Sequence, residues 1–254
     1  MAERILLKLG GSVITDKTGT GEVKTDVLLH VANIIAGYKD THQMVIIHGA
    51  GGYGHPEAHR YRIQEGVSAA NMAGIYQTHH AVTTLHEMVI TALRSAGIEA
   101  IGIHPLHGCI ADNGRLLSYP IQQITLMMEL GIVPVFHGDV VMDVRKGACI
   151  ISGDQLVSVY ARELNIDRVG LATDVPGLLA QDGSVVRTVS ASQIDTIFIG
   201  KSAATDVTGG MRGKIEELLT LASAGVMSEI FHISNLSAFL SGSDHGGTSI
   251  IKEQ

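Results

Sequence analysis

The sequence has little cysteine, no excess of positive charge and no long apolar run. Its only cysteines, Cys109 and Cys149, form no C-x-x-C pair and show no metal-ligand spacing. That sets aside a redox pair or thiolate metal site and points to buried or free thiols in a reducing compartment. Against 25 Asp and Glu stand 18 Lys and Arg, a formal charge of −7, which excludes a general nucleic-acid-binding surface. No apolar run approaches the roughly 18–20 residues that span a bilayer. The opening run Ile5-Leu6-Leu7 is broken at once by Lys8 and Gly10, too short for a signal peptide. The expectation is a soluble, cytoplasmic protein with no nucleic-acid or membrane partner.

What is present is a core and its punctuation. Hydrophobic residues make up 45% of the 254 and charged residues 17%, with 30 glycines against 5 prolines. Short apolar runs alternate with helical stretches, the pattern of an α/β protein on a mainly parallel sheet. Buried strands are predicted at 5–9, 44–48, 100–103, 132–136, 168–172, 229–233 and 248–251. Helices are predicted at 26–37 with Thr25 as N-cap, from about 54, and at 70–96, 121–130, 155–164, 192–197, 213–224 and 237–240. In the longest, Ile75, Val82 and Val89 fall seven apart, as do Thr78, Leu85 and Ala92, one apolar stripe ended by Gly97. Hairpins are expected at 109–119, at 139–151 around Arg145-Lys146-Gly147, and at 180–186. No repeat or linker interrupts the chain, so one domain over 1–254 is expected, with lobes of about 1–152 and 153–254.

Three glycine-rich strings sit at strand ends. Lys8-Leu9-Gly10-Gly11-Ser12 offers closely approachable backbone N–H groups beside one ammonium. His48-Gly49-Ala50-Gly51-Gly52-Tyr53-Gly54-His55 follows a strand and opens a helix, whose dipole favours an anion. Its G-x-G-x-x-G-like spacing lacks the acidic residue about 20 positions on that a dinucleotide fingerprint needs. Asp206-Val207-Thr208-Gly209-Gly210-Met211-Arg212-Gly213-Lys214 also opens a helix, but Ile215 breaks the Walker A pattern. Ser152-Gly153-Asp154 and Thr173-Asp174-Val175-Pro176-Gly177 add acids at strand ends. In an open parallel sheet the carboxyl ends of strands line one crevice, so Lys8, Lys17, Lys214, Asp154 and Asp174 should converge there. With so few cations, a phosphate must be gripped by placed lysines and backbone amides, which suits phosphoryl transfer.

In this order, and with Gly-Asp-Val at 138–140, the strings resemble the archaeal-type isopentenyl phosphate kinases of the amino acid kinase family. The resemblance runs from Lys8 to about Lys214. It implies a three-layer αβα sandwich, a homodimer, and ATP with Mg2+. It further implies that Lys8, Leu9, Gly10, Gly11 and Ser12 cradle the transferring phosphate and that Lys17 stabilises the transition state. Ala50 and Gly153 would contact the acceptor, isopentenyl phosphate, and His55 would hold its phosphate. Gly51, Asp174, Gly210 and Lys214 would bind ATP, and Asp154 would orient the lysines. Ile75, Tyr76 and His79 would line the isoprenoid pocket. Gly52-Tyr53 stands where the family usually has Ser-Phe, and Pro176 where related kinases often have Asp.

Alternative acceptors on the same fold are a phosphonate such as fosfomycin, a carbamate or an amino-acid carboxylate, and a further alternative is a non-catalytic nucleotide-binding regulator. The placed lysines argue against the regulator, and His55 against carboxylates. No metal-ligand set is assigned. His55 and His59, four apart, lack a third ligand, and His79, His80, His104, His107 and His137 are read as pocket or surface residues.

Overall fold

The computed structural model describes residues 2–16, 22–180, 182–190, 192 and 210–252. Its centre is an eight-stranded sheet whose inner strands are nearly all apolar, as strands covered on both faces must be. These are β1 (Glu3–Leu9) and β2 (His42–His48), then β3 (Ala100–Ile103), β6 (Val133–His137), β9 (Arg168–Thr173), β10 (Thr188–Val189), β11 (Ser228–His232) and β12 (Thr248–Ile250). Their order is β10-β12-β11-β9-β1-β2-β6-β3, and among the described strands the β11–β12 pairing alone is antiparallel, so β10 and β12 run against the other six. The mainly parallel sheet read from the sequence is there.

Helices cover both faces. On one side lie α2 (Thr25–Ala36), α4 (Ala73–Ser95) and α9 (Leu236–Leu240); on the other lie α6 (Ile121–Glu129), α7 (Gly153–Glu163) and α8 (Gly210–Ser223). Strand alternation sorts β1 between the two cores. Ile5, Leu7 and Leu9 pack with α2, α4 and α9, whereas Leu6 packs with α6, α7 and α8. Lys8 shares the parity of Leu6 and so faces the α7–α8 side. The helix-periodic stripe on α4 is buried at Thr78, Val82, Leu85, Val89 and Ala92, and Gly97 ends it at φ +78°.

Three elements differ from expectation. Helix α2 begins at Thr25 with Lys24 in the capping position and no side-chain cap, so Thr25 is its first residue. Helix α3 (Gly51–Arg60) begins three residues before the expected start, because Gly51 takes φ +53° and turns the chain at once. The expected hairpins at 109–119 and 139–151 do form, as β4 (Ile110–Asp112) with β5 (Arg115–Ser118) and β7 (Asp139–Asp143) with β8 (Gly147–Ile151). A parallel pairing of Ile110 with Met142 then joins them into a second, four-stranded sheet. The helix expected at 192–197 falls outside the described residues. Two short helices, α1 (Gly11–Ile14) and α5 (Pro105–Gly108), carry too little periodicity to read beforehand. Among the described residues no helix is long and apolar enough to cross a membrane.

Candidate active site

Strands β1 and β2 end side by side, Leu9 opposite His48, and each runs directly into a glycine loop. The loops touch through bare backbone. A Cβ on Gly11 would lie 2.6 Å from Gly51 N, and one on Gly49 would lie 2.7 Å from Gly11 N. Neither contact tolerates a side chain, so the glycines set the spacing between two helix openings. Gly49 N–H donates to Leu9 O at 3.0 Å and Gly10 N–H to Ala172 O at 2.9 Å, fixing both loops to the sheet. Thr15, missed in the sequence, ties them laterally: its hydroxyl donates to Gly11 O and accepts from Gly52 N–H at 3.3 Å. Gly52 N–H is taken by Thr15, Tyr53 N–H by Ala50 O and Val13 N–H by Gly10 O. That leaves the N–H groups of Gly11, Ser12 and Gly51, at the adjoining openings of α1 and α3, as the donors suited to cradle an anion.

Lys8 lies under this cradle, 6% exposed, with its Nζ 2.5 Å from Asp154 Oδ1. Asp154 stands in the first turn of α7, which Ser152 caps by accepting Gln155 N–H at 3.2 Å. A Cβ on Gly153 would press within 3.2 Å of Lys8 Cε, so this glycine lets α7 approach the lysine. Burial lowers the Lys8 pKa; the Asp154 carboxylate opposes that, and the nearby Lys214 ammonium in the first turn of α8 adds to it. His55 stands on α3, exposed at the rim but set over packed protein. That desolvation, helped by the charge of Lys8, holds its imidazole below the ordinary value. Without a bound anion it is therefore a neutral donor.

Lys8, His55, Asp154 and Lys214 are thus brought together, and Leu9, Gly10, Gly11, Ser12, Ala50, Gly51 and Gly153 form the backbone around them. Leu9 has its side chain buried in the α2–α4 core and its carbonyl bonded by Gly49 N–H. Ser12 O accepts from Lys24 Nζ at 2.8 Å, and Ala50 O accepts from Tyr53 N–H at 3.1 Å. Asp174 is exposed just past β9, and Gly210 is the first residue of α8. Lys17 and Asp206–Gly209 lie outside the described residues. On α4, Ile75 packs against the small cluster of Ile63, Val140 and Ala148. Tyr76 is 62% exposed and stacks on His80, while His79 Nδ1 lies 2.9 Å from buried Asp139. The Asp139 contact raises the His79 pKa.

Residues 3–231 match the amino acid kinase family. The chain belongs to that family. The isopentenyl phosphate kinase of Haloferax volcanii is 37% identical over 242 residues, covering 95% of this chain and 96% of that one. That of Methanothermobacter thermautotrophicus is 37% identical over 262 residues, covering 97% and 98%. A solved isopentenyl phosphate kinase superposes with a TM-score of 0.85 at 34% identity, over 98% of this chain and 100% of the other. Carbamate kinase from Giardia lamblia shares the fold alone, at a TM-score of 0.74 and 16% identity.

Proposed function

We propose that this amino acid kinase family member phosphorylates isopentenyl phosphate with ATP, giving isopentenyl diphosphate and ADP for isoprenoid biosynthesis. The observation that carries the reading is the buried Lys8–Asp154 pair beneath two converging helix openings, with His55 and Lys214 within electrostatic reach. A regulator that only senses nucleotide has no need of a desolvated ammonium there; a transferring phosphoryl group does. The relatives of similar length that share more than a third of its residues, all isopentenyl phosphate kinases by name, support the same acceptor.

In this reading an oxygen of the acceptor phosphate attacks the γ-phosphorus in line, the bond to the β–γ bridging oxygen breaks, and ADP leaves. His55 donates to the acceptor phosphate and Lys8 follows the moving charge. Backbone N–H groups of Gly11 and Ser12 hold the equatorial oxygens, with Gly10 shaping the turn, and Lys17 adds a second cation. Ala50 and Gly153 shape the acceptor side; Gly51, Asp174, Gly210 and Lys214 hold the nucleotide. That division assigns the acceptor to a lobe of about 1–152 and the nucleotide to a lobe of about 153–254. The residues fit Mg2+ carried in on ATP rather than caged by protein: Lys8 holds Asp154, and Asp174, exposed past β9 on the nucleotide side, would join the ion as it neutralises phosphate charge. The enzyme is read as a cytoplasmic homodimer, for which the exposed Leu29 and Met88 between α2 and α4 offer an apolar face.

The test is ADP release with isopentenyl phosphate, dimethylallyl phosphate, fosfomycin, carbamate and N-acetylglutamate as separate acceptors. Turnover with isopentenyl phosphate should exceed that with the phosphonate and the carboxylate by orders of magnitude. Preference for the phosphonate would move the enzyme to another branch of the family, and no turnover with any acceptor would leave the regulator.

A further inference from the structure

On the sheet face opposite Lys8, His48, His79, His86, His104, His107 and His137 gather under α4. Sheet register brings them there. His48 and His137 are direct partners across β2 and β6, and Ile103 pairs with Phe136, which sets His104 at the next position beside His137. All three follow the parity of the α4-side core. From above, α4 lays His79 and His86 seven residues apart onto the row. His48, His86 and His137 are fully buried, with ring centroids of His86 and His137 4.6 Å apart and of His86 and His104 5.1 Å apart.

Backbone carbonyls dictate which nitrogens carry protons. His48 Nδ1 lies 3.0 Å from Gly49 O, and His137 Nδ1 lies 3.1 Å from Gly138 O. A carbonyl only accepts, so both Nδ1 atoms are protonated and both Nε2 atoms present lone pairs. His86 Nδ1, 2.9 Å from His48 Nε2, must then donate, which leaves the lone pair on His86 Nε2. Among the described residues that atom is buried and has no hydrogen-bond partner. Opposite it stands Gly102, where any Cβ would collide with Nε2, so a glycine keeps the space before this lone pair open. The lone pair of His137 Nε2 meets His104 Nδ1 at 3.0 Å. One nitrogen from each of His86, His104 and His137 lies within 4.8 Å of the others.

We propose that His86, His104 and His137 form a three-histidine site for a transition-metal cation, Zn2+ foremost, with His48 orienting His86 from behind. Neutral imidazoles suit Zn2+ and its neighbours and do not suit Mg2+, so this site is separate from any ion carried by the nucleotide. A cation would replace the proton between His104 Nδ1 and His137 Nε2, with His104 then carrying its proton on Nε2. Metal–nitrogen bonds of about 2.0–2.1 Å put tetrahedral ligand nitrogens about 3.3 Å apart, so nitrogens now within 4.8 Å must close by as much as about 1.5 Å. His104 is half-buried and marks the side on which a fourth ligand, water or His107, would enter. The carbonyls that orient His48 and His137 belong to Gly49 and Gly138, which buttress the acceptor loop. A bound ion would therefore tie the ends of β2, β3 and β6 together beneath it, whichever acceptor the enzyme takes.

The test uses the full chain without an affinity tag, stripped with chelator and returned to buffer containing excess Mg2+. Titration with Co2+ should give intense visible bands of a low-coordinate nitrogen site that saturate at one equivalent per chain. One equivalent of Zn2+ should abolish them and raise the melting temperature. His104→Ala, at a half-buried position, should weaken Co2+ binding by at least about tenfold wherever its far-UV circular dichroism matches the parent, a loss seen even for outer-sphere partners. His86→Gln should do the same wherever its far-UV circular dichroism matches the parent, and exposed His80→Ala should change nothing. Equal binding by the parent and His104→Ala, or only the weak bands of six-coordinate surface Co2+, would overturn the site.

Discussion

Replacing Asp154 with Asn should move the pH at which Lys8 stops working. The ammonium is buried, and Lys214 already opposes its charge, so Asp154 is what keeps it protonated. Unit charges about 4 Å apart at an effective dielectric of about 20 interact by about 4 kcal/mol. At 1.36 kcal/mol per pKa unit that is about three units. Asp154 is only half-buried, and Asn still offers an amide oxygen, so only part of that interaction is lost and the Lys8 pKa falls further. The ammonium exists below its pKa and is lost as pH rises through it. The alkaline limb of kcat should therefore shift to lower pH, with activity partly recovered on the acid side. Stability gives an independent reading. An unfolded lysine keeps its proton up to about pH 10.4, so between the two pKa values the unfolded chain binds more protons and stability rises with pH, more steeply in the variant. The assay is ADP release from pH 6 to 10, beside urea melts at the same pH values. A uniform drop in kcat with an unmoved alkaline limb would refute the reasoning and leave Asp154 a purely geometric role.

His55→Ala should lower kcat/KM for the phosphate acceptor at least about tenfold, since a hydrogen bond to a charged group is worth roughly 1.5–3 kcal/mol. His55→Gln keeps a donor and should retain more; if the KM for ATP changes instead, His55 does not hold the acceptor. Gly49→Ala drives a methyl group to 2.7 Å from Gly11 N, so the loops must part. A cost of about 1–3 kcal/mol and a melting temperature lower by several degrees should accompany loss of turnover; an unchanged melt would mean that the loops yield freely. With a non-hydrolysable ATP analogue, hydrogen-exchange protection should centre on 174–178 and 210–214, with a smaller patch at 8–12, and protection confined to 49–60 would contradict the lobe assignment.

The crevice was legible because its parts are local. A glycine pair after an apolar strand reads directly from Leu9-Gly10-Gly11, and the parallel-sheet rule then gathers the other strand ends. What the sequence did not carry is pairing between distant elements. The convergence of Asp154 on Lys8 was expected from the strand ends, but the close approach of α7 beneath β1 that bare Gly153 permits was not. The second sheet depends on Ile110 finding Met142 over a separation no hairpin signal reports. The histidine row is harder still. His48, His86, His104 and His137 lie on four elements, and only the seven-residue step from His79 to His86 hints locally that histidines share a face. Thr25 shows the reverse error, a good capping residue passed over because the chain enters α2 one residue earlier.

Register is what keeps the two chemistries apart. Lys8 and Leu9 are neighbours in the chain, yet one faces Asp154 and Lys214 while the other is buried against α2 and α4 with the parity of the histidines. A slip of β1 by one residue would exchange the faces, putting an ammonium into the α4 core and a leucine beside Asp154. Ile5, Leu6, Leu7 and Leu9, each at most 1% exposed, make that slip prohibitive, because every one of them would change cores at once. The same holds for β2, where Ile46 and Ile47 fix which way His48 points. The apolar residues of these strands therefore do more than fill space. They decide that the positive charge of the crevice and the imidazole nitrogens behind it never share a face, although Gly49 and Gly138 connect both sides through the backbone.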